Sequence, residues 1–300
     1  MPLDTTALMR KVGQIRLLTV RLVDEQFSGD YHSSFKGQGI EFDEVRTYVP
    51  GDDVRAIDWN VTARTGYPHV KRYAEERELT VLFLVDVSGS QVFGSGTRTK
   101  TELSALITCI LAMAAARNED RIGLIDFSDR IVKTIPPRKG RTAVMRLVRE
   151  VLAGMETRHG TDIAGALRFL NNVQKRRALV ILVSDFQGRD FDAELRTAAV
   201  HHDLVALCVA DPRERELPNV GLVEIEDPET GERLLVDTAS RAVREHVARS
   251  AREEEAARLQ SFRRYGVDAA SFLTTDPDER VVHTLRQLFR RRELRAGRRG

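Results

Sequence analysis

Blocks of apolar residues alternate along this chain with blocks of mixed polar and apolar residues. The clearest apolar block is residues 81–85, five consecutive apolar residues that are followed at once by Asp86. Such an uninterrupted run is typical of a strand that is buried on both faces, as in a parallel sheet covered by helices. Comparable runs occupy residues 178–183 and 204–209. This alternation predicts an α/β domain with a doubly wound, mostly parallel, Rossmann-like sheet.

The other elements of the domain are predicted from the same patterns. Residues 222–237 indicate a β-hairpin around a Gly-containing turn, inserted into the alternation. Pro136 and Pro137 indicate a loop. Two further strands are predicted, at 121–127 and 267–273. Helical periodicity is present in six stretches: 101–117, 142–152, 163–170, 193–201, 242–265 and 278–291.

The first quarter of the chain does not follow this alternation. Residues 5–26 carry apolar side chains at three- and four-residue steps, which predicts an amphipathic helix. We expect this helix to dock on the protein body rather than on a membrane surface, because its stripe has ordinary core width. Residues 40–45 partly alternate like a strand, and we expect Trp59, the only tryptophan, to anchor the packing there. We therefore divide the chain into an amphipathic helix (1–27), a β-rich segment (28–78), the α/β domain (79–289) and a basic tail (290–300).

Composition narrows the class of protein. The chain has 300 residues and is 42% hydrophobic, which is enough for a sizeable core. It has no apolar run of about eighteen residues that would span a membrane. Cys109 and Cys208 lie in apolar segments without metal or redox spacing. We expect both cysteines to be reduced core residues and the protein to be cytoplasmic.

Charge is distributed unevenly along the chain. Residues 280–300 contain eight Arg and one Glu, a net charge of +7, while the whole chain carries +2. The rest of the chain is therefore mildly acidic, at −5. We expect residues 290–299 to fray beyond the last helix, because almost no apolar surface follows Phe289.

Polar side chains follow the apolar run 81–85 at alternate positions. Asp86, Ser88 and Ser90 place one carboxylate and two hydroxyls where the predicted strand ends. Ligands of open α/β sheets bind at the carboxyl ends of strands, and three hard oxygen donors suit Mg²⁺ or Mn²⁺ better than zinc. The alternative is that Asp86 caps a turn and the serines belong to a polar loop. The spacing alone leaves both interpretations open.

The pattern Asp86-x-Ser88-x-Ser90 after an apolar strand resembles the first loop of the metal-ion-dependent adhesion site (MIDAS) of von Willebrand factor A domains. The resemblance extends to Thr161, before a helical pattern, and to Asp185, after another apolar strand. Singly, Thr161 fits a helix cap and Asp185 fits a turn. Together, the resemblance implies that the five side chains hold one divalent ion, Mg²⁺ or alternatively Mn²⁺ or Ca²⁺. It also implies an open coordination position for a Glu or Asp of a partner protein.

A second resemblance begins before this strand and covers residues 28–275. The signature of the bacterial family called domain of unknown function 58 is similar to four stretches of the chain: Gly37-x-Gly-x-Glu-Phe42, Arg46-x-Tyr-x-Pro-Gly-Asp-Asp-x-Arg55, Ile57-Asp-Trp59 and Ala63-Arg64. The resemblance implies a non-enzymatic protein-binding module, an adaptor for a MoxR-type AAA+ ATPase in protein assembly or maturation. Gln91 stands where this family often has Met, and we expect that difference to be neutral for the metal.

Two other functions compete with this one. A Mg²⁺-dependent hydrolase would use Asp86 and Asp185, although Ser88 stands where an aspartyl phosphatase would carry its second Asp. A binder of nucleic acid or of an anionic surface would use the Arg-rich tail, but we expect no specific nucleic-acid recognition. Residues 94–100 match neither a Walker A motif nor a dinucleotide-binding motif, and we interpret them as a flexible connection.

Overall fold

The computed structural model describes residues 9–10, 12–16, 19, 41–74, 79–153, 160–188, 190–226 and 232–296. The chain divides into two compact units, one formed by residues 1–34 and 80–300 and the other by residues 35–79. Every described residue between 9 and 19 is helical, and Val12 and Thr19 are buried. The rest of the helix predicted for residues 5–26 lies outside the described residues.

The strands in the described part of the chain are β1 (Glu41–Thr47), β2 (His69–Ala74), β3 (Thr80–Asp86), β4 (Arg121–Phe127), β5 (Ile131–Arg138), β6 (Leu179–Ser184), β7 (Asp203–Ala210), β8 (Leu222–Glu226), β9 (Arg233–Asp237) and β10 (Asp268–Leu273). Six of these strands form the central sheet of the larger unit. The sheet has the order β10-β7-β6-β3-β4-β5, and all its neighbours are parallel except β4 and β5. The predicted doubly wound, mostly parallel class is therefore confirmed.

Strand β5 corrects one expectation from the sequence. Pro136 and Pro137 predicted a loop, but both lie within β5. This strand forms the edge of the sheet beside β4. Proline is tolerated at an edge, because its missing N–H leaves no partner strand unsatisfied.

Helices connect the strands, and most bounds agree with the predicted ones to within three residues. After residue 40 they are α1 (Trp59–Thr65), α2 (Lys100–Arg117), α3 (Arg141–Ala153), α4 (Ile163–Val173), α5 (Asp192–His201), α6 (Pro212–Arg215), α7 (Arg241–Arg264) and α8 (Asp278–Ala296). Residues 103–115 of α2 are all buried, which makes this helix the centre of the core. No helix in the described ranges combines the length and the apolar character needed to cross a membrane.

The two cysteines belong to this core. Cys109 on α2 and Cys208 on β7 are free and buried. Burial raises the pKa of each thiol to about 11. Both therefore remain protonated at neutral pH, as expected of structural rather than reactive cysteines.

The smaller unit pairs β1 with β2 in an antiparallel arrangement. Asp58 caps α1 by accepting hydrogen bonds from the backbone N–H groups of Asn60 and Val61. The expectation that Trp59 anchors this unit is wrong, because Trp59 is 69% exposed. No residue of α1 is buried, so this helix does not supply an apolar anchor for the unit.

The predicted hairpin is present as β8 and β9. These strands pair antiparallel and form a two-stranded sheet of their own. Leu222, Leu234 and Leu235 on this hairpin are exposed. The hairpin therefore carries apolar side chains on its surface.

The C-terminal residues correct a further expectation. We expected residues 290–299 to fray, but α8 continues to Ala296, and residues 297–299 lie outside the described residues. Arg292 is 9% exposed and donates hydrogen bonds of 2.6–2.8 Å to the carboxylates of Asp203 and Asp268. These two residues begin β7 and β10, so ion pairing rather than apolar contact holds the end of the helix to the sheet.

Replacing Arg292 with Met is expected to lower the free energy of unfolding by about 1–2 kcal/mol, because Asp203 loses its cation while Asp268 keeps Arg295. This is less than a fully buried pair would lose, since Asp203 is 38% exposed. Urea denaturation measures the change. Arg291→Met, at the exposed neighbouring position, is the control and should change the value by no more than about 0.5 kcal/mol. Equal stability of the two variants would show that the helix end is not held in this way.

Candidate metal-binding site

Strands β3 and β6 bring two predicted site residues to one edge of the sheet. The strands are parallel neighbours in which Val85 lies opposite Val183. Asp86 ends β3, and Asp185 follows the last residue of β6. The two residues are only 1% and 5% exposed. Two acidic side chains are therefore held at neighbouring strand ends, away from solvent.

Two neutral donors hold the carboxylate of Asp86. Its Oδ1 accepts a hydrogen bond from the backbone N–H of Ser88 at 3.0 Å, and its Oδ2 accepts one from the hydroxyl of Ser184 at 2.6 Å. The first contact is the turn-capping bond that the sequence left open as an alternative. The second contact joins the end of β3 to the end of β6, so Asp86 has more than a turn-capping role.

A chain of hydroxyl groups connects this loop to Asp185. The hydroxyl of Ser90 donates to Asp185 Oδ2 at 2.8 Å, and the hydroxyls of Ser88 and Ser90 lie 3.1 Å apart. Because the proton of Ser90 is used on Asp185, the O–H of Ser88 donates either to Ser90 or to the carboxylate of Asp86. Both serines are at most 1% exposed. Asp86, Ser88, Ser90 and Asp185 are thus linked through hydrogen bonds within one buried cluster.

Thr161 lies on a neighbouring loop, directly before α4. The backbone N–H of Asp162 donates to the carbonyl of Ser128, just after β4, at 2.7 Å. Gly188 lies three residues after Asp185. The carbonyl oxygen of Thr161 is only 3.2 Å from where a Cβ on Gly188 would be, so the Thr161 loop and the Asp185 loop lie close together. The structure therefore places all five predicted residues at the carboxyl edge of the sheet. Their role as metal ligands stays a prediction.

Lys100, which contacts Asp185, is a residue of this cluster that was not predicted from the sequence. Lys100 is the first residue of α2 and is 0% exposed. Its Nζ donates to Asp185 Oδ2 at 2.7 Å and to Oε1 of Glu214, which belongs to α6. Lys100 ends a stretch with the composition of a surface connection, so no local signal distinguishes it from an exposed lysine.

The connection before Lys100 is not free, and the expectation that residues 94–100 are flexible is wrong. The carboxylate of Asp211 accepts hydrogen bonds from the backbone N–H and the hydroxyl of Ser95, at 2.7 and 2.6 Å. Arg98 donates to the carbonyl of Thr274 at 3.1 Å and to the carboxylate of Asp278 at 2.6 Å. These bonds tie the loop to the carboxyl ends of β7 and β10.

The backbone that follows Asp185 is held in an uncommon conformation. Phe186 has φ 58°, and such a left-handed position costs a non-glycine residue about 1–3 kcal/mol. Its N–H donates to the hydroxyl of Ser184 at 2.9 Å, and its ring packs edge-on against Phe262 with centroids 5.1 Å apart. Arg258 donates to the carbonyl of Asp185 at 3.0 Å. Several independent contacts therefore fix where Asp185 points.

The two ends of the cluster differ in their electrostatics. Burial and the charge of Asp185 raise the pKa of Asp86 to about 7, although hydrogen bonds from Ser184 and Ser88 oppose this shift. Burial acts to lower the pKa of Lys100, but the charges of Asp185 and Glu214 outweigh it and hold the pKa above its ordinary value. Lys100 is therefore charged at neutral pH, while the charge of Asp86 is poorly compensated.

A divalent ion with oxygen ligands fits this arrangement. The cluster offers carboxylate and hydroxyl oxygens, which are the ligands of Mg²⁺, Mn²⁺ and Ca²⁺. When ionised, Asp86, Asp185 and Glu214 bring three negative charges against two positive ones, the ammonium of Lys100 and the guanidinium of Arg258 at the main chain of Asp185, so a net negative charge is left. Among the described residues, no three His, Cys, Asp or Glu side chains lie together in a group that could hold a metal ion by itself. An ion here would therefore depend on serine and threonine oxygens.

The fold and the cluster define a class of protein, an α/β domain with a carboxylate and hydroxyl site at the carboxyl edge of its sheet. The chain belongs to the family described as "Protein of unknown function DUF58", which matches residues 44–257. The family resemblance seen in the sequence is thus confirmed. An uncharacterized protein of Mycobacterium tuberculosis is 32% identical over 281 residues, which cover 92% of this chain and 87% of that protein. One of Mycobacterium avium is 34% identical over 100 residues, or 32% of this chain and 59% of that protein.

Solved structures similar to this chain are distant in sequence. BatB from Bacteroides thetaiotaomicron aligns with a TM-score of 0.48 and 14% identity, covering 71% of this chain and 98% of that chain. The SpRpn10 VWA domain aligns with a TM-score of 0.35 and 10% identity, covering 45% of this chain and 77% of that chain. These scores are low, and the fold class rests on the strand order and pairing of this chain itself.

Gln91 provides a test of how the cluster is packed. It is 0% exposed, and neither atom of its side-chain amide has a hydrogen-bond partner among the described residues. Replacing it with Met is expected to stabilise the protein by about 1 kcal/mol, because an unsatisfied buried polar group is costly. Thermal denaturation measures the gain, and Gln260→Met at an exposed position of α7 should show none. Destabilisation by Gln91→Met would mean that the amide has a partner after all.

Asp86→Asn is expected to stabilise the metal-free protein, and more so at higher pH. The carboxyl group ionises near pH 3.9 in an unfolded chain but only at about 7 in the folded one. The folded state therefore keeps a proton that the unfolded state has lost, and stability falls as pH rises between these two values. Asparagine removes this penalty. Melting temperatures in EDTA from about pH 5 to about pH 8 should diverge in favour of the variant, and a margin that shrinks with pH would contradict the pKa assignment.

Proposed function

We propose that this protein is a non-enzymatic binding module that uses a divalent ion to hold an acidic side chain of a partner protein. The observation that carries the proposal is the buried hydroxyl chain from Ser88 through Ser90 to Asp185, beside Asp86 and with an excess of negative charge. Hard cations favour such oxygen-rich sites, and Mg²⁺ is our first candidate, with Mn²⁺ or Ca²⁺ as alternatives. The resemblance of the loop to the adhesion site of von Willebrand factor A domains points the same way.

The residues proposed to hold the ion are Asp86, Ser88, Ser90, Thr161 and Asp185. When bound, the ion supplies a positive charge and an open coordination position for a Glu or Asp of the partner. The chain's own contribution is to hold the oxygens in place. Ser184 orients Asp86, and Arg258 holds the main chain of Asp185. A site ordered in advance loses less conformational freedom when a partner binds.

The contacts of the cluster support binding rather than hydrolysis. A hydrolase needs a group that accepts a proton from the attacking water. The pKa of Asp86, about 7, would suit such a group, but Asp86 and Asp185 are only 1% and 5% exposed, so neither carboxylate faces the solvent that would supply the attacking water. Lys100 is charged and held between two carboxylates, so it cannot accept a proton. We therefore expect no metal-dependent turnover of phosphoesters.

The partner that we propose is a MoxR-type AAA+ ATPase, with this protein as its adaptor in the assembly or maturation of other proteins. This part of the proposal rests on the family resemblance. A cytoplasmic location belongs to the same proposal. An acidic residue on the ATPase, or on its client, would complete the coordination of the ion.

The contacts of α8 weaken the competing idea of a nucleic-acid or anionic-surface binder. Arg292 pairs with Asp203 and Asp268, and Arg295 also pairs with Asp268. These two arginines already pair with carboxylates at the start of two sheet strands. An arginine that binds a phosphate must instead have its charge available to the ligand. We expect any binding to nucleic acid through this helix to be weak and without sequence preference.

Asp86→Ala tests the proposed function directly. The change removes a ligand and leaves the apolar core intact, so the fold should survive while the affinity for a MoxR-type ATPase from the same genome falls by about tenfold or more. Titration calorimetry in Mg²⁺ measures the affinity. EDTA should reduce the binding of the unmodified protein to the level of Asp86→Ala. Added Mg²⁺ should restore binding by the unmodified protein but not by the variant.

The matched control is Asp129→Ala, which removes an exposed carboxylate that follows β4 at the same edge of the sheet. It should bind the ATPase as well as the unmodified protein does. If Asp86→Ala also binds unchanged, the ion does not bridge this pair. If both variants lose binding equally, general negative charge rather than the metal site is responsible.

A further inference from the structure

Lys100 has an unusual position for a lysine. Its side chain is completely buried, and its Nζ contacts two carboxylates, those of Asp185 and Glu214. Asp185 is also one of the proposed metal ligands. The ammonium therefore occupies one side of a carboxylate on which the proposed ion would depend.

General stability does not explain a lysine at this point. Removing an ammonium from water costs several kcal/mol even when it is paired. Lys100 is also the first residue of α2, a helix of 18 residues, and the dipole at the start of a helix disfavours a positive charge. Only the neighbouring carboxylates favour the charge here, so the role of Lys100 is tied to them.

Glu214 is fixed independently of Asp185. Its Oε2 accepts a hydrogen bond from the backbone N–H of Asp211 at 2.9 Å, in a capping box at the start of α6. Asp211 in turn holds Ser95 and the hydroxyl of Thr274. Lys100 therefore has a second carboxylate that stays in place whatever happens at Asp185.

We propose that Lys100 is a built-in counter-ion, which neutralises Asp185 when no divalent ion is bound and competes with such an ion for this carboxylate. The inference rests on the proposed function, because it concerns the same site. Binding of the ion draws Asp185 away from Lys100, which keeps its contact with Glu214. The site thus remains folded without metal, and its affinity for metal is set below what its oxygens alone would give.

Two variants with opposite expected effects test this role, with Mn²⁺ alone as the probe. Lys100→Met removes the competing charge, so the affinity for Mn²⁺ should rise by about tenfold or more. Glu214→Gln removes the other charge that Lys100 contacts, so Lys100 pairs with Asp185 alone and competes more strongly with Mn²⁺. The affinity for Mn²⁺ should therefore fall. Titration calorimetry measures both. Arg213→Met, which removes one exposed positive charge next to Glu214, is the matched control and should leave the affinity unchanged.

Thermal stability gives a second readout. In EDTA, Lys100→Met should melt at a clearly lower temperature than the unmodified protein, and saturating Mn²⁺ should restore most of the loss. A merely structural lysine would give a loss that Mn²⁺ does not restore and no change in affinity, which would overturn the inference. If Lys100→Met does not fold in EDTA, the test rests on Glu214→Gln. If that variant binds Mn²⁺ as tightly as the unmodified protein does, or more tightly, the inference is overturned.

The outcomes separate this inference from the proposed function. Mn²⁺ binding that needs Asp86 but is no tighter in Lys100→Met overturns the role of Lys100 and leaves the proposed function standing. Failure of the unmodified protein and of Lys100→Met alike to bind Mn²⁺ overturns both. Tighter binding by Lys100→Met together with weaker binding by Glu214→Gln supports both.

Discussion

Two carboxylates buried at the ends of neighbouring strands are the constraint on which the rest of this structure depends. The sheet order places β3 beside β6, and both strands are buried almost throughout. Asp86 and Asp185 therefore meet where solvent cannot neutralise them. A buried charge is tolerated only when hydrogen bonds or opposite charges compensate it. The backbone N–H of Ser88, the hydroxyls of Ser90 and Ser184 and the ammonium of Lys100 provide part of that compensation, and Asp86 receives the least of it.

The same requirement organises the surrounding elements. Lys100 lies at the start of α2, and Glu214, its second carboxylate, lies on α6 after β7. Asp211 at the end of β7 holds the loop that leads to α2 and also contacts Thr274 after β10. Hydrogen bonds and ion pairs thus connect the carboxyl ends of β3, β6, β7 and β10. The charge left on Asp86 is what makes this edge a candidate site rather than a closed structural network.

Local patterns in the sequence predicted what local physics determines. The apolar run 81–85 indicates a strand buried on both faces because each of its side chains gains free energy by leaving water, and the polar side chains from Asp86 to Ser90 mark where that strand ends. Lys100 could not be found in this way, because its partners are 85 and 114 residues away. Arg292 was missed for the same reason, since it pairs across 24 and 89 residues. Pro136 was misread because the sequence does not show that β5 is an edge strand.

Diffraction from crystals soaked in Mn²⁺, recorded where manganese scatters anomalously, tests the central claim most directly. We expect one anomalous peak at the carboxyl edge of the sheet, in contact with Asp86, Ser88 and Ser90. We also expect Lys100 to have moved off Asp185 and to have kept its contact with Glu214. The absence of a peak at saturating Mn²⁺, with Lys100 still bonded to Asp185, would contradict the account.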